Sequence, residues 1–174
     1  LPYLMFGHSW GSMLARGYAA LYGQDLKALY DQLLENKMYL VEETIVQHPE
    51  MSKLCQRSVN TIRIVTILSD AGNANVVYAL VRIGGGTNDV DNVTSGGMYT
   101  LLSPEGKITH PAFCDKTVTY YTVHPYNGQE LIGFQIPCFR EALDLVRKAA
   151  LVEKRLRYVG WDVAITPDGP VLVE

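Results

Sequence analysis

From residue 60 onward, the sequence alternates short apolar segments, rich in β-branched residues, with turn sequences. The segment 60–69 is followed by a turn at 70–73 and by a second apolar segment at 76–83, which predicts a β-hairpin. Two more hairpins of this kind are predicted at 98–111 and 158–174. Strands joined by tight turns pair antiparallel, so this part of the chain is confined to an antiparallel sheet.

Helical patterns are few. The clearest is at 137–157, with apolar residues on one face and charged residues opposite; the inward residues are Ala142, Leu145, Val146, Ala149 and Val152. Pro49 predicts the start of a short helix that ends at Leu54. A further helix is predicted at 25–36, before a strand at 38–43. Several hairpins and few helices predict the α+β class, an antiparallel sheet covered by helices.

Length and composition exclude several classes of protein. A chain of 174 residues, 48% of them hydrophobic, is expected to fold as one domain or as one domain plus a fragment. Its net charge of −3 provides no positive field to attract nucleic acid or an anionic membrane. No apolar run approaches the length of a membrane span and no signal peptide is recognisable, so the expected location is cytoplasmic. Because the sequence begins with Leu1 and ends at Glu174 inside a predicted strand, we expect a fragment.

The first residues contain a possible nucleophile. Gly7-His8-Ser9-Trp10-Gly11 matches G-x-S-x-G between a predicted strand at 1–6 and a predicted helix at 12–22. Residues 4–19 resemble the nucleophile elbow of α/β-hydrolases, especially lysophospholipase-like members, and the resemblance covers residues 1–23. No acid or histidine further on stands in a hydrolase context, and an elbow serine without these partners is a weak nucleophile. We therefore expect a strand-turn-helix fragment at 1–25, with a serine hydrolase acting through Ser9 as the alternative.

Four charged residues stand on predicted strands. Arg63 and Arg82 lie inside apolar segments, where burying an unpaired guanidinium group would be costly, so each must point to the polar face of the sheet or find an anion. Two arginines on adjacent strands would present a fork for phosphate, although Arg63 could instead pair with an acid on a strand. Asp162 and Glu174 lie on the two strands of the last hairpin. Carboxylates placed in this way can converge on Mg²⁺.

Six motifs follow one another from residue 39 to the end of the sequence. They are Tyr-Leu-Val-Glu-Glu at 39–43, Gln-His-Pro-Glu-Met at 47–51, Ser-Val-Asn-Thr-Ile-Arg-Ile-Val-Thr at 58–66, Val-Arg-Ile-Gly-Gly-Gly at 81–86, Asp-Asn-Val-Thr-Ser-Gly-Gly-Met at 91–98, and Gly-Trp-Asp-Val-Ala at 160–164 with Leu-Val-Glu at 172–174. In this order and spacing they make residues 26–174 resemble the sugar-transfer-associated ATP-grasp family, related to α-L-glutamate ligases. The resemblance implies the C-terminal, nucleotide-binding and magnesium-binding half of an ATP-grasp domain at 26–174.

The resemblance also implies roles for individual residues. A hinge that reads the adenine edge would consist of Glu42, Glu43, Thr44 and Ile45, and Glu50 would be a candidate for the ribose. Arg63 and Arg82 would face the polyphosphate or an acyl phosphate, and Asn92, with Gly96 and Gly97, would line the phosphate and acceptor side. Asp162 and Glu174 would hold magnesium.

The implied reaction uses ATP and Mg²⁺ to activate a carboxylate as an acyl phosphate, which an amine or another nucleophile then attacks. The resemblance implies an amine or a sugar-linked acceptor and does not identify it or the carboxylate. The family's phosphate-covering lysine and glycine-rich loop would precede the helix at 25–36, where the hydrolase-like segment stands, and its metal motif would continue beyond Glu174. We therefore expect weak or no ligase activity from this chain. A non-catalytic chimeric fragment is a further alternative.

Histidines and tyrosines complete the candidate residues. His48, His110 and His124 are expected to be structural or to lie at the rim of the site, and His124 is the best placed of the three for contact with an acceptor. Tyr120, Tyr121 and Tyr126 are more typical of packing than of a platform for a sugar ring.

Overall fold

The computed structural model describes residues 45–85 and 96–174 in full, together with the backbone of two short strands, β1 (Leu4–Phe6) and β2 (Val41–Glu43). The chain divides into two compact units, Leu1–Ile45 and Val46–Glu174. In the first unit, β1 and β2 pair antiparallel, with Met5 opposite Glu42. The elbow around Ser9 and the helices predicted at 12–22 and 25–36 lie outside the described residues, and the predicted division after residue 25 stays a prediction.

The second unit is built on a seven-stranded antiparallel sheet. Its strands are β3 (Thr61–Leu68), β4 (Ala74–Ile83), β5 (Met98–Leu101), β6 (Ala112–Cys114), β7 (Thr119–Tyr121), β8 (Tyr158–Thr166) and β9 (Gly169–Leu172). They lie in the order β7-β6-β5-β4-β3-β8-β9. Two helices accompany the sheet in this part of the chain, α1 (Pro49–Leu54) and α2 (Phe139–Ala150). The antiparallel sheet with few helices agrees with the predicted class.

The two faces of the sheet differ because side chains alternate along each strand. One face forms the core: Ile62 of β3 lies opposite Val81 of β4 and Val163 of β8, and all three are fully buried. Residues of both helices join this core, among them Met51, Leu54, Phe139, Ala142 and Val146. The residues between them on the strands, including Arg63, Arg82 and Asp162, therefore point to the opposite face, which we call the open face.

Two of the predicted hairpins are confirmed, and one is wrong in its second strand. β3 pairs with β4, and β8 with β9, as predicted. β5, however, pairs with β6, where Tyr99 lies opposite Phe113, and the segment 107–111 contributes only an isolated bridge between Leu102 and Ile108. Lys107 pairs instead with Gln135. Pro111 has no N–H to donate to a strand ladder, which favours strand formation after it rather than through it.

The prediction for α2 is wrong at its C-terminal end. The helix ends at Ala150 rather than at residue 157, and Val152, expected on the inner face, is 86% exposed. Arg157 instead anchors the chain beside β3: its main-chain oxygen accepts from the N–H of Leu68 at 2.7 Å, and its side chain donates to the oxygen of Leu68. β8 begins at the next residue. A helix continued to Arg157 would add seven residues of about 1.5 Å each along its axis and would carry β8 away from its partner strand.

No helix in the described part of the chain is long and apolar enough to cross a membrane.

Candidate functional site

Three charged side chains meet on the open face. Arg63 of β3 lies directly opposite Asp162 of β8, so both side chains point to the same side of the sheet. The Nε and Nη2 atoms of Arg63 donate to the two oxygens of Asp162 at 2.5 Å and 2.8 Å. From the next strand, Nη1 of Arg82 donates to Oδ2 of Asp162 at 3.0 Å. One carboxylate therefore holds two guanidinium groups from neighbouring strands side by side.

Burial makes this charge cluster electrostatically strong. The side chain of Asp162 is 8% exposed, that of Arg82 19% and that of Arg63 38%, so water screens the attraction only in part. The hydrogen bonds that Arg63 donates to Asp162 raise the pKa of Arg63 above its usual range against the opposing effect of burial, and the charge of Glu174 adds to this shift. Arg63 is therefore positively charged at neutral pH.

Glu174 stands beside Asp162 at the end of the last hairpin. The N–H of Asp162 donates to the main-chain oxygen of Glu174 at 2.8 Å, and the N–H of Val173 donates to that of Asp162 at 2.8 Å. The side chain of Glu174 is exposed. The chain therefore places two carboxylate-bearing residues next to each other and next to two arginines.

This set of donors fits a metal-bound polyphosphate better than a metal ion alone. Within residues 45–85 and 96–174 no cluster of three or more His, Cys, Asp or Glu residues could enclose a cation. Mg²⁺, however, is commonly held by one or two carboxylates together with phosphate oxygens and water, and these ligands suit Asp162 and Glu174. A guanidinium group has five N–H donors, so Arg63 and Arg82 can bind phosphate oxygens while they keep the hydrogen bonds to Asp162.

The other predicted site residues are placed as follows. Glu50 lies in the first turn of α1, and its carboxylate pairs with Lys53 at 2.7 Å. Ile45 is half-buried at the end of the first unit. Glu42 and Glu43 belong to β2, of which the backbone is described, while Thr44 and Asn92 lie outside the described residues. The proposed hinge therefore stays a prediction.

Asn60, which was not among the predicted site residues, holds the end of β4 through a group of hydrogen bonds that we call the polar clamp. Asn60 is completely buried just before β3, and its amide nitrogen donates to the side-chain oxygen of Gln47 and to the main-chain oxygens of Met51 and Cys55. Its amide oxygen accepts from the N–H of Gly84 at 3.1 Å. A Cβ at Gly84 would collide with the hydroxyl group of Ser58. The clamp thus fixes the chain two residues beyond Arg82, and its signal in the sequence is an amide residue directly before a β-branched strand.

His124 belongs to the same structure and is not placed to contact an acceptor. The residue is 2% exposed, its Nε2 lies 2.9 Å from the main-chain oxygen of Gly84, and its Nδ1 accepts from the N–H of Tyr126. These partners require the neutral ring with its proton on Nε2. Burial lowers the pKa of His124 in the folded protein, although the hydrogen bond to Gly84 partly opposes the shift.

A pH effect on stability follows from the buried His124. Because its pKa is lower in the folded state, the unfolded chain binds more protons below about pH 6.5, the usual value for histidine. The contribution of His124 to the free energy of unfolding is complete above that pH and is lost as the pH falls, by at most about 1.4 kcal/mol per pH unit. Urea unfolding at pH 7.5 and pH 5.0 should show a larger loss in the wild-type protein than in His124→Gln. The exposed His110→Gln is the control, and a variant of His124 with the wild-type pH dependence would contradict this expectation.

Comparison with known proteins agrees with the chemistry of this face. The family model described as sugar-transfer associated ATP-grasp matches residues 20–174. Neither the comparison with curated proteins nor that with solved structures gives a significant match. No part of the match supports the hydrolase-like segment at the start of the chain. The family match covers nearly the whole chain and all of the strands that carry Arg63, Arg82 and Asp162. The chain belongs to the sugar-transfer-associated ATP-grasp family.

Proposed function

We propose that the open face of the sheet binds ATP with Mg²⁺ and forms part of an ATP-dependent carboxylate ligase. The observation that carries the proposal is the convergence of Arg63 and Arg82 on the buried carboxylate of Asp162, with Glu174 beside it. ATP-grasp membership implies nucleotide binding, and these residues supply both signs of charge that a metal–nucleotide complex needs.

The four charged side chains would bind the phosphate groups and the metal between them. Arg63 and Arg82 would bind phosphoryl oxygens, and Asp162 and Glu174 would hold Mg²⁺. When bound, the metal supplies charge neutralisation at the phosphate oxygens. Asp162 keeps the two guanidinium groups in place before a ligand arrives, so little reorganisation is needed for them to stabilise negative charge. The two arginines and the two acids sum to zero formal charge, and binding an anion therefore relies on local donors rather than on a net positive field.

The reaction that suits this arrangement has two steps. A carboxylate oxygen of the substrate attacks the γ-phosphorus of ATP, the bond to the bridging oxygen breaks, and ADP leaves. An amine of the acceptor then attacks the acyl carbon, inorganic phosphate leaves, and the amine loses a proton. Arg63 and Arg82 would offset the negative charge that develops on the phosphoryl oxygens in both steps. The acceptor that we propose is sugar-linked.

Calorimetry tests the nucleotide and metal parts of this proposal. ATP with Mg²⁺ should bind the full chain, and EDTA should weaken the binding. Glu174→Gln removes an exposed carboxylate without disturbing the core, and it should weaken Mg²⁺-dependent binding about tenfold, which corresponds to 1.4 kcal/mol. Asp168→Asn changes an exposed acid at the other end of the same hairpin and should leave the affinity unchanged. A folded protein without affinity for ATP, or an equal effect of the two variants, would contradict the proposal.

A further inference from the structure

A row of aromatic side chains crosses the open face and ends at Arg82. Tyr120 of β7 lies opposite Phe113 of β6, Phe113 lies opposite Tyr99 of β5, and Tyr99 lies opposite Arg82 of β4. Residues that lie directly opposite one another on antiparallel strands point to the same face. The strand register therefore makes the three rings continuous with the arginine pair.

The rings contact one another and leave one of them in solvent. The ring centres of Phe113 and Tyr120 are 4.8 Å apart at an interplanar angle of 45°, and those of Tyr99 and Phe113 are 6.0 Å apart in an edge-to-face arrangement. Phe113 and Tyr99 are half-buried, whereas Tyr120 is 70% exposed. Tyr120 was expected to serve packing, but much of its ring remains available to a ligand.

A carboxylate and a hydroxyl group lie beside the aromatic row, close to the end of β6. Asp115, the residue after this strand, is exposed, and the hydroxyl group of Tyr99 donates to its Oδ1 at 3.4 Å. Partial desolvation and the neighbouring carboxylate raise the pKa of Tyr99. The row thus combines an exposed ring face with a carboxylate that can accept hydrogen bonds.

We propose that Tyr120, Phe113, Tyr99 and Asp115 form a binding site for a hydroxylated ring of the pyranose type. The C–H groups on one face of such a ring carry partial positive charge and pack against the negative face of an aromatic side chain. Its hydroxyl groups are donors for the carboxylate of Asp115. That the bound ring belongs to the acceptor of the ligase rests on the proposed function, whereas the binding site itself does not.

The distance between the two ends of the row limits the size of the ligand. Tyr120 and Arg82 are separated by three strand spacings of about 4.8 Å, or about 14 Å. A single sugar ring that stacks on Tyr120 cannot also reach Arg82. The site therefore suits an oligosaccharide or another extended glycosylated molecule, which would contact the aromatic row with its outer rings.

Saturation-transfer NMR on the full chain tests the site with three probes: methyl β-D-glucopyranoside, cellotetraose and tetrauridylate. Cellotetraose should bind more tightly than the single sugar because it can extend along the row. Tyr120→Ala should weaken its binding by roughly fivefold, and Tyr120→Phe, which keeps the ring, should restore it. Tyr126→Ala is the matched control, because this tyrosine is 63% exposed and lies outside the row.

The outcomes separate this inference from the proposed function. No saturation transfer from the wild-type protein to cellotetraose, or equal binding by wild type and Tyr120→Ala, would overturn the site. Binding of tetrauridylate alone, with the same dependence on Tyr120, would assign the row to nucleobases and would also overturn it. Calorimetry with ATP and Mg²⁺ on Tyr120→Ala should give the wild-type affinity. If the wild-type protein binds cellotetraose through Tyr120 but binds no ATP, the ligase proposal fails and the carbohydrate site stands.

Discussion

Replacing Asp162 with alanine is expected to lower the free energy of unfolding by about 3 kcal/mol. The substitution leaves two guanidinium groups on the open face without the carboxylate that binds both, and removing one partner of a buried ion pair is far more costly than the pair is stabilising. The loss stays below the upper range for such changes because Arg63 is 38% exposed and water can solvate part of it. Urea unfolding at neutral pH and moderate salt measures the change.

Asp70→Ala is a matched control for that prediction. Asp70 also binds an arginine, Arg157, at 2.6 Å, but Asp70 is 93% exposed and Arg157 is 57% exposed. Exposed pairs contribute about 1 kcal/mol or less, and Arg157 keeps its hydrogen bonds to the oxygen of Leu68. Equal losses in the two variants would show that the burial of the Asp162 cluster does not matter for stability.

Replacing Asn60 with aspartate is expected to cost about 3 kcal/mol at neutral pH. The change preserves the shape of the side chain and removes an amide nitrogen that donates to Gln47, Met51 and Cys55. It also turns a negative charge toward these three oxygens. Because a protonated carboxyl could again donate one hydrogen bond, the stability of the variant should approach that of the wild type as the pH falls.

The same substitution at Asn73 makes the comparison specific. Asn73 lies in the exposed turn between β3 and β4, so Asn73→Asp should change the free energy of unfolding by less than about 0.5 kcal/mol. Chemical unfolding of the two variants at pH 7.5 and pH 5.5 measures both the difference and its pH dependence. A stability of Asn60→Asp that equals that of Asn73→Asp would refute the role given to the clamp.

Local patterns were sufficient where neighbouring residues alone decide the structure. Pro49, with its fixed φ, begins α1 where expected, and the turn at 70–73 joins β3 and β4 as predicted. The end of α2 could not be predicted, because Arg157 leaves the helical pattern to bind Leu68, nearly ninety residues earlier in the chain. The pairing of β5 with β6 could not be predicted either, because Tyr99 lies opposite Phe113, which follows the adjacent segment 107–111 in the chain.

The arginines and the acids of the site also show which features depend on neighbouring residues and which depend on distant contacts. An arginine inside an apolar strand must either face solvent or have an anionic partner, which is a matter of solvation and can be inferred from the pattern around Arg63. The identity of that partner depends on the order of the strands: β8 is inserted next to β3, and Asp162 therefore faces Arg63 across 99 positions of sequence. No spacing rule along the chain expresses such a register.

Sequence alone thus established the antiparallel class, two of the three predicted hairpins, the family and the presence of charged residues on the strands that must be solvated or paired. Which side chains meet was settled by the packed sheet, through the strand order that joins Arg63, Arg82 and Asp162 and through the row from Tyr120 to Arg82. The physical reason is that propensity and solvation act on neighbouring residues, whereas strand pairing is chosen by the burial of one whole face of the sheet.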